Sequence, residues 1–592
     1  MITTKIKNIA PIVSQKLLPR VRQPSQYIGL ETNARQGDVA AARVTVALAF
    51  PDAYTIGISH LGHQMLYHTL NDLPGVACDR VYCPLPDAEA VMRDQAVPLF
   101  GWESRCAISS FDIVGFSLTY ELCVTNVLTM LSLAGVPILA CERGEGDPII
   151  VGGDALADSP EPLANFFDVF LPGDGEETLP ALAKLIGQLK QASPGDAFSR
   201  ADGLARIARE VPSAYVPKFY KPIKPGLGAV APTSSDMPVE IPRAAVADLS
   251  HASPAALTKP LVPLAEAVHE RVVIEVMRGC PNLCKFCQAG HTRLPVRRRG
   301  VEDIISAARA GLKATGYNEI SLLSLSTSDY PQLEELIERL NAEFTGQKVS
   351  ISLPSLRVDS QLRVLPKLTA AVRKGGLTIA AEAGTDELRA SIGKDITEAD
   401  MLAGVRAAWQ AGYKSVKVYF MAGLPGETLE DIDQIYWLCR RLSNTRRDVD
   451  GHRGAITASV SWFVPKPHTP MQWEPMRRAE YFFEVRSRLI DLARRSPINV
   501  KFHRIEQSLL EAMLCRGGRE VGQVILRAWQ SGARMDSWSE HWNWEIWQQA
   551  IEAADIDFDA IVHRKLPADQ PLPWSHIRCH LGEDFLLKHS RQ

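Results

Sequence analysis

Three cysteines, Cys280, Cys284 and Cys287, fall within eight residues of a 592-residue chain. Thiolates are soft ligands, suited to zinc and to iron–sulfur clusters. Three at this spacing can wrap one corner of a four-iron cube and leave one iron without a protein ligand. That iron could take a cofactor or substrate, as the open position of a catalytic zinc does. The rival is a structural Cys3His zinc site with His291 as fourth ligand. Spacing alone leaves both open. Disulfides are not expected: the 11 cysteines are scattered and odd in number, and nothing indicates secretion.

The thiols follow an apolar, β-branched run, Val272–Val276, which has the character of a buried strand. Further strands are expected at Asn318–Leu325, Lys348–Leu353, Gly376–Ala381, Ser415–Met421 and Ile456–Phe463, with helices at Val301–Thr315 and Pro331–Phe344. Six β-units over 263–480 predict a partial (β/α)6 barrel with its chemistry at the strands' C-terminal ends. Residues 40–195 alternate in the same way. Strands are expected at Val44–Phe50, Asp112–Ser117, Pro137–Ala140, Pro148–Val151 and Asp168–Leu171, and helices at Ser59–Leu70, at Leu122–Leu133 and from Leu179. This predicts an α/β, Rossmann-like parallel sheet.

Residues 1–39 read as an extension and 196–262 as a connector. Proline is dense from Tyr215 to Pro263, which suits an extended strap with an edge hairpin. Residues 481–592 hold six of the 11 tryptophans. They are expected to form a mostly α-helical cap whose indoles fill a core against the barrel; stacking platforms for bases are the sharper alternative. At least two of Arg297, Arg298 and Arg299 are expected to be a solvated helix start. The composition is globular, 46% hydrophobic and 22% charged with net charge −3, so no global field attracts nucleic acid. The N-terminus shows no signal-peptide core. The most apolar region, Ile113–Ala140, is interrupted by Glu121, Asn126, Gly135 and Pro137 and is not expected to span a membrane. A reducing, cytoplasmic location is the expectation.

Cys-x3-Cys-x2-Cys with Phe286 before the last cysteine resembles the signature of the radical S-adenosylmethionine (SAM) enzymes. The resemblance implies a [4Fe-4S] cluster whose open iron chelates the amino and carboxylate groups of SAM. An electron from the cluster would then break a sulfur–carbon bond to give a 5'-deoxyadenosyl radical. It further implies SAM contacts from Ser324, Ser326 and Thr327 at the second strand's end, where Ser-Leu-Ser-Thr-Ser replaces the family's Gly-Gly-Glu. Glu382 would lie near the ribose, and Gly423 and Gly426 of GLPGET would form the turn beside the adenine. GLPGET is not a P-loop, since no Gly-Lys-Ser/Thr follows.

The first domain resembles the cobalamin-binding domain fused to many radical SAM enzymes. The matching residues are Ser59, His60 and Gly62; Ser117 and Thr119; Gly152 and Gly153; and Asp174, Gly175 and Glu176. The family's Asp-x-His-x-x-Gly ligand motif has no clean copy, so His60 is read as a helix N-terminal residue rather than a cobalt ligand. With RGCPNLCKFCQAG, SLPSLRVDS, LTIAAEAGTDELR and FVPKPHTPMQW, the resemblance to bacterial cobalamin-domain radical SAM fusion proteins spans roughly 25–592. It implies methyl transfer to an unactivated carbon or phosphorus centre, fed by a one-electron reductant such as flavodoxin or ferredoxin. The alternatives are radical rearrangement or cyclisation with accessory cobalamin, and a non-catalytic metal-binding factor associated with RNA or ribosomes. No catalytic acid or base is expected at a fixed spacing.

Overall fold

Seven consecutive buried residues, Val44–Phe50, form the strand β1. A strand buried on both faces belongs inside a helix-covered parallel sheet. Its partners are β2 (Val76–Tyr82), β3 (Ile113–Ser117), β4 (Ile149–Gly153) and β5 (Val169–Leu171), all parallel, in the order β2-β1-β3-β4-β5. The order reverses between β1 and β3, which opens a crevice beyond their C-terminal ends. The computed structural model describes residues 7–591 apart from 194–197, 224–227, 251, 253 and 354–375.

Two features of this sheet differ from the sequence reading. β2 was not expected, because Asp79 and Arg80 interrupt its apolar pattern. Both are fully buried, and Arg80 is neutralised by Glu31 at 2.6 Å and Glu103 at 2.5 Å. The expected strand at Pro137–Ala140 does not form. A short helical turn begins at Ala140, whose N–H is taken by the Asn165 carbonyl. The helix expected from Leu179 starts earlier, at Gly175, directly after β5, and runs to Ala192.

The six expected barrel strands all form: Val272–Glu275, Glu319–Leu323, Ser350–Ser352, Gly376–Glu382, Ser415–Ala422 and Ala455–Trp462. They lie in two parallel sheets, the first three together and the last three together. The Pro354–Ser360 part of SLPSLRVDS lies outside the described residues. A seventh strand, Ile498–Phe502, continues the second sheet, so the barrel runs past residue 480. The connector is not extended throughout. It contains a helix, Arg200–Glu210, and then the expected hairpin of Tyr220–Pro222 with Val230–Pro232.

The tryptophan-rich tail packs first on the Rossmann-like domain rather than on the barrel. Trp529 Nε1 donates to Thr129 Oγ1 at 3.0 Å and Trp538 Nε1 to Asp52 Oδ1 at 2.9 Å. Asp536 accepts from Thr125 of the first domain and from the buried Trp547. The Arg-Gly-Gly-Arg-Glu run is a staple. Arg516 donates to the carbonyls of Gln472, Glu474, Ile561 and Arg564, and Arg519 pairs with the buried Glu161 at 3.0 Å. Among the described residues no helix is long and apolar enough to cross a membrane.

Lys466, beyond the sixth barrel strand, joins three regions. Its ammonium lies 2.5 Å from Glu121 of the first domain and 2.7 Å from Glu511 of the tail. Removing one partner of a buried ion pair strands the other charge. Lys466→Met should therefore cost about 3 kcal/mol, read as a lowered midpoint in chemical denaturation.

Candidate functional site

The cysteine loop is clamped at its base. Met277–Arg278 pairs antiparallel with Arg297–Arg298, so the residues between them form a closed loop. Gly279 permits the closure: its φ is +88°, and a Cβ there would lie 2.8 Å from the Arg293 carbonyl oxygen. Inside the loop the Cys287 N–H donates to the Cys284 carbonyl at 3.0 Å, and the Lys285 N–H donates to Ile392 at 2.9 Å. Phe286 packs on an apolar wall that includes Ala383, Leu388, Met421, Leu424 and Phe463, contributed by the ends of the later barrel strands.

The three thiols share one loop, and Cys280 and Cys287 both act electrostatically on Cys284. Burial pushes Cys284 up to about 11; the Lys394 charge opposes this, while Cys287 and Cys280 add to it. Burial also raises Cys287, whose sulfur accepts from the Gly290 N–H. Such thiols need a strong cationic partner to ionise, and iron supplies one. Among the described residues no three of His, Cys, Asp and Glu are gathered for a single metal ion. His291 is engaged elsewhere. Its Nδ1 bonds the Cys287 carbonyl at 2.9 Å, and the ring lines a different cavity. With its Nδ1 spent on that carbonyl and its ring turned to another cavity, His291 does not stand beside the three thiols as the fourth donor of a Cys3His zinc.

Residues that spacing did not single out tie this loop to the strand ends. Asn282 donates to Cys280 Sγ at 3.4 Å and to Asp329 Oδ2 at 2.7 Å. Asp329 Oδ2 also accepts from Ser326 at 2.6 Å. Ser324 and Thr327 bond each other at 3.0 Å, and all three hydroxyl residues are buried. Glu382 sits at a bulge ending the fourth barrel strand with φ +70°. That backbone is strained for a side-chain-bearing residue, and such strain gathers at functional sites. Burial raises the Glu382 carboxyl, and Lys394, 3.7 Å away, opposes the shift.

Gly423 is fixed by crowding: its φ is +94° and a Cβ would lie 2.7 Å from Phe482. Its N–H donates to Glu427 Oε1 at 2.6 Å, and Tyr481 donates to the same oxygen at 2.6 Å. Gly426, φ +80°, has open space beside it. Sequence reading missed Glu427, although it stands within GLPGET.

A cavity of about 400 Å³ lies between the sheet's C-terminal edge and the cysteine loop. His60, Gly62, Ser117, Gly153, Asp174, Gly175 and Glu176 line it from the first domain, and Arg278, Gly279, Arg293 and Ser324 from the barrel. Ser59, Thr119 and Gly152 do not line it. The Ser59 hydroxyl accepts from the His269 N–H, and a Cβ on Gly152 would meet Phe170 and Leu118. His60 Nδ1 accepts the His63 N–H at 3.1 Å and so caps the helix Leu61–Asn71. Burial, the largest influence on His60, holds the ring below its usual pKa, and in the neutral ring the remaining proton is on Nε2.

The expectation of solvated arginines fails for two of the three. Arg297 and Arg299 are buried, and only Arg298 is exposed. Arg297 reaches Asp174 at 2.6 Å, and Arg278 reaches Asp174 at 3.1 Å and Glu176 at 2.7 Å. Arg293 pairs with Asp154 at 2.5 Å. The cavity is thus closed on its barrel side by ion pairs between the two domains.

Two family models match: radical SAM proteins, N-terminal, over residues 62–217, and the radical SAM superfamily over residues 274–439. The chain is 25% identical to an uncharacterised protein of Methanocaldococcus jannaschii over 81% of this chain and 90% of that one. It is 25% identical to the tRNA-2-methylthio-N(6)-dimethylallyladenosine synthase of Sorangium cellulosum over 33% of this chain, which spans 42% of that relative. Among solved structures, the radical SAM methyltransferase TsrM from Kitasatospora setae, with cobalamin and a [4Fe-4S] cluster bound, aligns with a TM-score of 0.46 at 15% identity, over 73% of this chain and 77% of that one.

Glu427 gives this site a pH signature. Burial, the largest influence, lifts its carboxyl from 4.5 to about 7. Below 4.5 the folded and unfolded chains are both protonated. Between 4.5 and about 7 the unfolded chain releases its proton and the folded chain keeps it, so stability falls as pH rises and levels off above about 7. The full effect is about 3 kcal/mol. Glu427→Gln should flatten that decline, measured as urea midpoints of the two proteins at pH 5 and pH 8.

Proposed function

We propose that this radical SAM enzyme binds cobalamin in the cavity between its two domains and transfers a methyl group to an unactivated carbon or phosphorus centre. The observation that carries the reading is that cavity: one wall is the switch-point edge of a parallel sheet, the other is the base of the cysteine loop at Arg278, Gly279 and Arg293. Gly62, Gly115, Gly153, Gly173 and Gly175 stand among the apolar side chains of its wall, so a broad ring could approach the backbone at those points. His60 spends its Nδ1 lone pair on the helix cap, which supports binding without that ring as a cobalt ligand.

Cys280, Cys284 and Cys287 would hold the [4Fe-4S] cluster. When bound, the cluster supplies one-electron reductive cleavage of SAM, and cobalamin supplies a transferable methyl group. The chain's residues do the positioning. Asn282 and Asp329 fix the first cysteine against the second strand's end, where Ser324, Ser326 and Thr327 offer hydroxyls to the SAM amino group. Glu382 would accept from the ribose hydroxyls, with Lys394 compensating its charge. Glu427 holds the Gly423 turn that would border the adenine. Phe286 and the apolar wall behind it exclude water from the cluster's rear. The electron comes from outside the chain, from a carrier such as flavodoxin or ferredoxin.

Anaerobic reconstitution tests the reading. The expected product contains about four irons per chain, bound cobalamin, and SAM cleaved to 5'-deoxyadenosine under dithionite. Cys280→Ala, Cys284→Ala and Cys287→Ala should each bring the iron content near zero. SAM cleavage without any methylated product from cell extracts would favour rearrangement. A colourless protein with one tightly bound zinc would remove the enzyme reading altogether.

A further inference from the structure

A second cavity, of about 300 Å³, lies on the other side of the short helix Gln288–Thr292 that follows the third cysteine. Arg293 lines the first cavity and His291 the second. The tail closes this second chamber. Trp574, Ile577 and Leu586 give it an apolar wall, and Glu583 and Asp584 stand at its rim in the first turn of the helix Gly582–Ser590.

Of the polar groups here, Arg578 is paired with Glu240 at 3.7 Å, and most of the others are acceptors. The Cys287 carbonyl can only accept, so His291 Nδ1 donates to it. The ring is 1% exposed, and its Nε2 is buried in the chamber wall with no partner among the described residues. His468 is fixed in the opposite sense, its Nε2 donating to the Asp158 carbonyl at 2.7 Å. Its other nitrogen is left as the acceptor of the neutral ring. Gln472 is pinned by the His468 N–H at 2.9 Å and by Trp574 Nε1 at 2.7 Å, so the wall is rigid. At the rim, burial first and the Asp584 charge second raise the Glu583 carboxyl above its usual range. A buried acceptor without a donor is costly, and adjacent carboxylates favour a cation.

We propose that this chamber, built jointly by the cluster helix and the tail, is a second ligand site, and that it takes a ligand bearing a protonated amine on an apolar stem. The amine would meet His291 Nε2 and the Glu583–Asp584 rim, while the stem would lie along Trp574 and Leu586. These contacts stand whether or not the chain is the enzyme described above.

Three probes with one stem and different heads test it: n-pentylamine, n-pentanol and pentanoate. Binding to the reconstituted full chain is measured by calorimetry at pH 7.5. Pentylamine should bind, and pentanoate should not. The double variant Glu583→Gln/Asp584→Asn, at exposed positions, should weaken pentylamine about tenfold, and His291→Phe should do the same. The proposal is overturned if pentylamine fails to bind, if pentanoate binds as well, or if the double variant binds pentylamine like the parent. SAM cleavage by the parent chain without amine is scored separately. Its absence would count against the radical SAM reading and leave the ligand class of the chamber to the binding data.

Discussion

Asp174 is the charge on which the union of the two domains depends. It is 4% exposed and accepts from Arg297 at 2.6 Å and from the Val246 N–H at 2.9 Å, with Arg278 3.1 Å away. Burial pushes its carboxyl upward, but Arg278 and then Arg297 more than offset this and hold it below the usual range. Two guanidiniums on one carboxylate leave an excess of positive charge, which Glu176 at 2.7 Å and Glu275 at 2.9 Å absorb through Arg278. Buried ion pairs are weak sources of net stability, because desolvation opposes them. Their geometry is specific, however. Asp174 directly precedes the helix Gly175–Ala192, while Arg278 and Arg297 are the two strands that clamp the cysteine loop. The pairing therefore sets where the loop sits relative to the first sheet, and with it the shape of the cavity between them.

The same economy explains the polar residues around the thiols. Asp329 serves Asn282 and Ser326 with one oxygen, so a shift of the second strand's end would move the first cysteine. Lys394 opposes the effect of burial on both Cys284 and Glu382. One ammonium thus moderates two buried anionic groups that would otherwise favour their protonated forms. The strained Glu382 backbone lies between the fourth strand and the apolar cluster that holds Ala383.

The strands that read clearly in the sequence are those whose burial is apolar throughout, such as Val44–Phe50, recovered residue for residue. β2 was hidden because its centre is an ion pair: Arg80 is buried only by virtue of Glu31 and Glu103, which lie far away in the chain. Pro137–Ala140 misled in the opposite direction, being apolar enough for a strand but needed as a turn beside Asn165. The seventh barrel strand, Ile498–Phe502, alternates apolar and polar residues, but five residues between two longer helices are too few to stand out. Of the candidate site, the residues singled out by chemical type, the cysteines, the strand-end hydroxyls and Glu382, are linked in the structure through Asn282, Asp329 and Lys394. Asn282, Asp329, Lys394 and Glu427 were not legible in the sequence, because their roles come from partners that only folding brings near. The arginines misled for the same reason. A run of three looks solvated until the Asp174 carboxylate at Arg297 and the backbone carbonyls at Arg299 are in view.

The tail gives the architecture its last constraint. Its indoles and Asp536 are bound to the helix Val124–Ala134 and to Asp52 of the first domain, while its final segment pairs Ile577–Arg578 with Ile241–Pro242 of the connector. A segment fastened at both ends to the first domain and its connector, and pressed against Trp473 and Gln472 beyond the sixth barrel strand, crosses the seam between domains a second time. The first crossing is electrostatic and lies at the cysteine loop; the second is largely aromatic and lies behind it. Charge pairs fix direction and register, whereas buried indoles supply area. Together they hold the helix Gln288–Thr292 between two cavities, so that one short element, immediately after the third cysteine, presents Arg293 to one side and His291 to the other.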